Sequence, residues 1–432
     1  MQLLNAFARM FSNAKKQFFS LDEPVRLYAY EGLLIAIITN LINNNNNLFA
    51  SRLGAEDFQL GLLNLAPQLT NMIILLPGGV LIDSMKNKRK MVIFSLGAAA
   101  FFYASIGFVT SLGGFKLPYF IMLLSASVGM ITVYSLSWQS LFPEVIEIEK
   151  RNRTLTLRTF MTMTAGIAVP LATGLLLSAM KTNDQKIGAH QGFFIASAAL
   201  IVIQILIFKK ITPLNPASPR GVSFRLLAEA AASIFKSKKF VFYAAVAWFF
   251  YITWQLDWTL YYIGQTKYIL LNEAQLSFTI IGSTLAQFLT LSFWSKSNER
   301  RGPVFSMIFG ILGLCLNPLC MIISTILPSP ANKPLFILMN TLASLTLATI
   351  ALNPFQCLLQ VLDDKYKTLG ISMFTVLTSL SNAVMPMAGV LIYEAFGSSA
   401  QALRKTFLIV LSLRLVAAGL WLFRWRRIRS YP

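Results

Sequence analysis

Gly79-Val80-Leu81-Ile82-Asp83-Ser84-Met85-Lys86-Asn87-Lys88-Arg89-Lys90 decides how the rest of the chain is read. Apolar runs flank it, Phe58–Leu81 before and Met91–Leu112 after. Each is long enough to cross a bilayer as a helix, which takes roughly 20 apolar residues. The tight loop between them holds one Asp and four Lys/Arg, and cationic loops of this length stay on the cytoplasmic side. An acid at the end of an apolar helix is costly unless a local cation or a neighbouring helix N-terminus pairs with it.

The composition extends that reading to the whole chain. Of 432 residues, 56% are hydrophobic and 12% charged, with a mean hydropathy of +0.62. A soluble domain carries about 25% charged residues. The apolar runs are continuous, whereas barrel strands alternate over roughly 10 residues. The net charge of +20 could suggest nucleic acid, but its distribution argues against such a partner. Twelve spans placed on the hydropathy put 28 of the 37 Lys/Arg on one side and 8 on the other, with Arg414 inside a span. That asymmetry puts both termini in the cytoplasm of a multi-pass protein of the inner or plasma membrane.

The chain divides as follows. Residues 1–26 are a cytoplasmic segment whose Leu3, Leu4, Phe7, Met10, Phe11, Ala14 and Phe18 recur at helical spacing, beside Arg9, Lys15 and Lys16. This pattern predicts an amphipathic helix on the leaflet surface, with membrane lipids as its partner. Residues 27–208 hold spans 1 to 6 at about 27–47, 58–81, 91–112, 118–142, 155–180 and 192–208. Residues 209–239 form a linker with Pro213, Pro216 and Pro219, then an apolar stripe of Phe224, Leu227, Ala231, Ile234 and Phe235. Residues 240–424 hold spans 7 to 12 at 240–266, 275–295, 303–327, 335–360, 368–395 and 406–424. A basic tail, 425–432, follows.

The second half echoes the first. Arg153-Thr154-Leu155 corresponds to Lys367-Thr368-Leu369, and Pro170/Gly174 to Pro386/Gly389, an offset of about 215 residues. Ser297-Asn298-Glu299-Arg300-Arg301-Gly302 weakly echoes the opening loop. Repeats related by an axis along the membrane normal are found in secondary transporters.

These residues resemble the major facilitator superfamily. Its loop between helices 2 and 3 reads Gly, three residues, Asp, a basic residue, any residue, Gly, then basic residues. Gly79, Asp83 and the basic tail match. Ser84 stands where the first basic residue belongs, and the second Gly is absent. Asn87, shifted by one, is expected to supply the left-handed turn, which Asn tolerates. The resemblance implies an all-α membrane protein of twelve transmembrane helices in two six-helix pseudo-symmetric bundles. It implies that Gly79, Asp83, Lys86 and Arg89 form a conformational-switch loop near the start of span 11. Gly166, Pro170 and Gly174 resemble a degraded form of the family's fifth-helix motif, associated with antiporters; Val169 stands where a Gly would precede Pro170.

No enzyme signature is present: no HExxH, GxSxG, phosphate loop or Cys/His cluster occurs. Neither a metal nor a cofactor is expected. Cys315, Cys320 and Cys357 all fall in apolar spans and read as buried neutral thiols. The single histidine, His190, sits at the outer start of span 6.

Ionisable residues inside spans are functional candidates by default. Three stand out: Glu31 in span 1, Asp257 in span 7 and Arg414 in span 12. Arg414 reads as structural, because helix 12 is peripheral in the family. The resemblance puts spans 1, 4, 7 and 10 around a central cavity, so Glu31 and Asp257 are the proton-coupling candidates. Burial favours the neutral form of a carboxylic acid, which suits a proton carrier. The alternative for each is a structural partner of a cation or helix end. Asp257 shares a helical face with Phe250, Trp254 and Tyr261, which suits an organic cation or a flat compound. Further cavity candidates are Asn40 and Asn43, Tyr134 and Trp138, and Asn353 and Gln356 beside Pro354. The run Asn43–Asn47 covers the whole helix circumference, so it lies either unwound at the interface or partly in the cavity. The expected function is secondary active transport of a small organic solute by a monomer using alternating access. Proton-coupled export of an amphipathic or cationic compound comes first. Proton-coupled uptake of a sugar-like solute is the alternative, and a non-transporting membrane sensor is the reading from another class.

Overall fold

The computed structural model describes residues 21–83, 85, 87–213, 235–362 and 367–430. Among these residues it is helical and contains no strand. Eleven helical segments are long and apolar enough to cross a membrane. Span 7, interrupted near its middle, completes the set of twelve.

The first bundle comprises spans 1 (Glu23–Asn43 and Asn46–Arg52), 2 (Asp57–Asp83), 3 (Lys88–Ile106), 4 (Lys116–Val145), 5 (Ile148–Ala179) and 6 (Asn183–Lys210). The second comprises spans 7 (Lys238–Gln255, then Trp258–Ile263), 8 (Glu273–Arg301), 9 (Pro303–Leu314 and Leu316–Ile326), 10 (Asn332–Ala343 and Leu347–Leu359), 11 (Lys367–Ala395) and 12 (Ala400–Ser430). The packing repeats. Span 1 lies on 5 and 6, span 3 on 4 and 6, and span 2 on 4; adding six to each number gives the neighbours in the second bundle. The bundles meet where span 2 runs along 11 and span 5 along 8.

Local chemistry sets the ends of these helices. Pro24 and Pro303 sit in first turns, where a missing N–H is harmless. Thr182 with Gln185 and Asn272 with Gln275 form reciprocal caps. Gly302, at φ 84°, makes the left-handed turn between spans 8 and 9. Asn87 does not make the equivalent turn in the opening loop. It stays at φ −128° and caps span 3, accepting from the Lys90 N–H at 3.1 Å. Lys88 follows directly and binds Glu144 at 2.6 Å, which holds the loop to the end of span 4 without a left-handed residue.

Several boundaries move. Span 1 starts four residues earlier than the hydropathy predicts and breaks at Asn44–Asn45. Each of these amides bonds back to span 1, Asn44 to Asn40 and Asn45 to the Leu41 carbonyl, which competes with helix continuation. Span 3 ends at Ile106, and a short 3-10 segment follows. Span 12 continues to Ser430, so the basic tail is helical up to that residue. The N-terminal amphipathic stretch and most of the linker stripe lie outside the described residues.

Burial follows membrane logic. Phe101 is 67% exposed and Leu289 75%, as suits side chains facing lipid. The core of the first bundle centres on Tyr28, Phe142 and Phe208, and that of the second on Tyr243, Phe250 and Trp421. All three cysteines are buried. Residues from both bundles share one apolar cluster, whereas a second cluster belongs to the second bundle alone.

Candidate functional site

Each bundle buries one carboxylate against one arginine. In the first, Glu31 is 0% exposed. It accepts from the Tyr134 hydroxyl, from Arg158 Nε at 2.9 Å and from Gln204 Nε2 at 3.3 Å. Spans 1, 4, 5 and 6 are tied together at this point. Arg158 is 24% exposed, and its guanidinium lies 4.3 Å from the Trp138 ring centroid. Gly32 makes room for it: a Cβ there would meet the Arg158 side chain.

In the second bundle the helix of span 7 stops at Gln255 and restarts at Trp258. Asp257 sits in the break, 4% exposed. Its Oδ1 accepts from Arg414 Nη2 at 2.6 Å, and its Oδ2 has no hydrogen-bond partner among the described residues. Arg414 also donates to the Leu314 carbonyl at 2.7 Å and the Trp254 carbonyl at 3.2 Å. It thus uses carbonyls freed where spans 7 and 9 are interrupted. Gly389 of span 11 packs against the Leu256 carbonyl at the same break.

A third group lies on the face away from the termini and crosses between the bundles. Glu273, at the start of span 8, accepts from Arg52 of span 1 and from Lys186 of span 6 at 2.7 Å. Arg52 Nη1 is 2.8 Å from His190 Nε2. An arginine can only donate, so that ring nitrogen accepts and the proton sits on Nδ1. Lys267 reaches Asp57 at 2.8 Å, and Asn64 donates to Thr259 at 3.2 Å. A hollow of about 360 Å³ opens here beside Arg52, Tyr262 and Glu273.

The family model of the Major Facilitator Superfamily matches residues 31–268, more than half of the chain. The chain belongs to this superfamily. No curated protein matches it in sequence. Among solved structures, the nucleoside transporter NupG is 13% identical with a TM-score of 0.67, covering 95% of this chain and 100% of that one. The D-xylose-proton symporter is 13% identical with a TM-score of 0.70, covering 92% and 96%. A bacterial homologue of the iron transporter ferroportin, in the inward-facing state, is 12% identical with a TM-score of 0.70, covering 94% and 99%. At these identities the likeness shows the fold. The chain is thus a multi-pass membrane protein of the major facilitator fold.

Within that fold the sequence-derived residues scatter. Tyr134 meets Glu31, and Trp138 lies beside them. Trp254 stacks on Phe250, and its carbonyl holds Arg414. The break at Leu256–Asp257 interrupts the helical face expected to run from Phe250 to Tyr261. Tyr261 instead donates to Asn340 at 3.0 Å. Asn40 bonds to the Ala36 carbonyl, and Asn43 is exposed. Asn353 is buried and accepts from Asn298 at 2.6 Å, whereas Gln356 on the same helix is exposed. In the opening loop, Gly79 and Asp83 end span 2, but the Asp83 side chain and Lys86 lie outside the described residues. Arg89 donates to the Ile211 carbonyl at 2.9 Å, bracing span 3 against the end of span 6.

The sequence reading missed Arg158, Gln204, Arg52, Lys186 and Glu273. Arg158 lies inside span 5. Its signal was its position within 155–180; the helix begins at Ile148, which puts Arg158 about three turns inside.

Proposed function

We propose that the protein is a proton-coupled secondary active transporter of a small organic solute, working as a monomer by alternating access, with Asp257 as the proton carrier. The observation behind this choice is the unpartnered Oδ2 of Asp257 at the break in span 7. A proton can be added there without displacing a donor, whereas Glu31 is already held by three residues. Protonation would weaken the grip of Arg414 on Asp257 and leave it on the Leu314 and Trp254 carbonyls. A ligand shifts a two-state equilibrium only by its differential affinity for the states. A hundredfold difference in proton affinity between two orientations would bias them by about 2.7 kcal/mol.

Arg158 and Arg414 neutralise both acids, so a bare carboxylate for a cation loses support. An amphipathic compound, moved outward, fits the half-buried Trp138 and Trp254 better. Gly174 supports the antiporter reading. Its surface packs on Ser277 of span 8, so the fifth-helix small residue serves the seam between bundles. Uptake of a sugar-like solute keeps one specific support, the neutral pairs Asn64–Thr259 and Thr132–Asn71.

The test uses purified protein in proteoliposomes with an imposed pH gradient, after a thermal-shift screen supplies a ligand. Asp257→Asn should keep ligand binding and downhill exchange but lose accumulation against a gradient. Unchanged accumulation and pH profile in Asp257→Asn, in Glu31→Gln and in the double variant would exclude both acids as carriers. The face carrying the termini is proposed to be cytoplasmic. Because the native cysteines are buried, a cysteine at Lys236 should label only after permeabilisation.

A further inference from the structure

We propose that a hollow at the termini-bearing end of the second bundle binds the phosphoryl headgroup of an anionic phospholipid. Its volume is about 790 Å³. Lys238, Lys239 and Phe242 at the start of span 7 line it, with Val361 beyond span 10 and Arg424 and Arg427 near the end of span 12. Four cations from two helices therefore face one space, and no acid is among the described residues that line it. Like charges brought together this way raise the energy unless an anion joins them.

Arg424 makes the requirement specific. It is only 2% exposed. Its guanidinium lies 5.0 Å from the Tyr243 ring centroid and 5.4 Å from that of Trp421. Its Nη1 has no hydrogen-bond partner among the described residues. A buried charge without a counter-ion is expensive, and an anion in the hollow that Arg424 lines would lower that cost. The hollow also adjoins the N-terminus of the 18-residue helix Lys238–Gln255, where the helix dipole adds positive potential.

The remaining wall selects a lipid over a free anion. Phe242 packs edge-on against Phe423, which is 56% exposed. The apolar side of the hollow thus continues onto a surface that faces hydrocarbon. An occupant with an anionic head and acyl chains matches both parts. The position at the ends of spans 7, 10 and 12 is where headgroups lie, and basic pockets of this kind between membrane helices suit anionic headgroups. Tyr243, under Arg424, donates to the Pro354 carbonyl at 2.6 Å. A bound headgroup would therefore brace spans 7, 10 and 12 together.

The experiment is native mass spectrometry of the full chain in detergent, titrated with phosphatidylglycerol, with phosphatidylcholine of the same acyl chains, or with inorganic phosphate. Melting is followed in parallel. Wild type should retain phosphatidylglycerol and gain stability from it, but do neither with phosphatidylcholine. The variant Lys238→Gln/Lys239→Gln/Arg427→Gln removes only exposed cations, so it should fold. Its retention of phosphatidylglycerol should fall roughly tenfold or more. Lys116→Gln/Lys181→Gln/Lys333→Gln, with the same charge change on the opposite face, should behave as wild type. Equal retention of both lipids, unchanged retention in the first variant, or equal loss in the second would overturn the proposal. Stabilisation by inorganic phosphate equal to that by phosphatidylglycerol would overturn the lipid as occupant.

Discussion

Arg414 closes on Asp257 at 2.6 Å, with 1% and 4% of the two residues exposed. Two charges are thus removed from water and lipid together. Their mutual attraction is needed to offset the cost of burying either one. Removing only the cation, as in Arg414→Leu, should cost about 3–5 kcal/mol, because the carboxylate is left alone. Asp257→Asn/Arg414→Leu should recover much of that loss. Thermal melts of the two variants check this; a double variant no more stable than Arg414→Leu would count against it.

Glu31 and Arg158 form a less symmetrical pair. Glu31 is fully buried, whereas Arg158 is partly exposed. Arg158→Leu should therefore destabilise the protein by about 3 kcal/mol, while Glu31→Gln should cost closer to 1 kcal/mol. Tyr134 and Gln204 can still bond to the amide, and Arg158 can turn toward water. The order of the two melting temperatures is the measurement.

Glu273 holds cations from two spans of the other bundle. Glu273→Gln should weaken the contact between bundles on the face away from the termini, and leave Arg52, Lys186 and His190 facing one another. The expected outcome is more frequent opening of that face. A spin label or reactive cysteine at exposed Ser51 should become more accessible, with little change in helix content.

Gly389 tests the break in span 7. A Cβ there would meet the Leu256 carbonyl, a backbone atom that cannot rotate away. Gly389→Ala should force spans 7 and 11 apart and cost about 1–3 kcal/mol. Gly166→Ala, at a position with open space around it, should be close to neutral. Melting curves for both distinguish local crowding from a general effect of glycine replacement.

The twelve spans were legible because each apolar run is an additive property of its own residues. The opening loop was legible in part. Gly79, Asp83 and the basic run matched part of the family's pattern, but the left-handed turn expected of Asn87 is absent. Lys88 finds Glu144, which is 56 positions away, and that long-range bond makes a cap suffice. The helical face drawn through Phe250, Asp257 and Tyr261 failed for a similar reason. It assumed an unbroken helix, whereas Arg414 and Gly389 stabilise the interruption from spans 12 and 11.

The sequence by itself determined the class, the number of spans, the internal repeat and the presence of two acids inside the bilayer. These follow from hydropathy, charge distribution and spacing, which are local. Only the tertiary structure decided what each acid touches. Glu31 meets Arg158 across 127 positions and Asp257 meets Arg414 across 157. The energy of a buried charge depends on its nearest counter-charge, and that neighbour is set by how the helices pack.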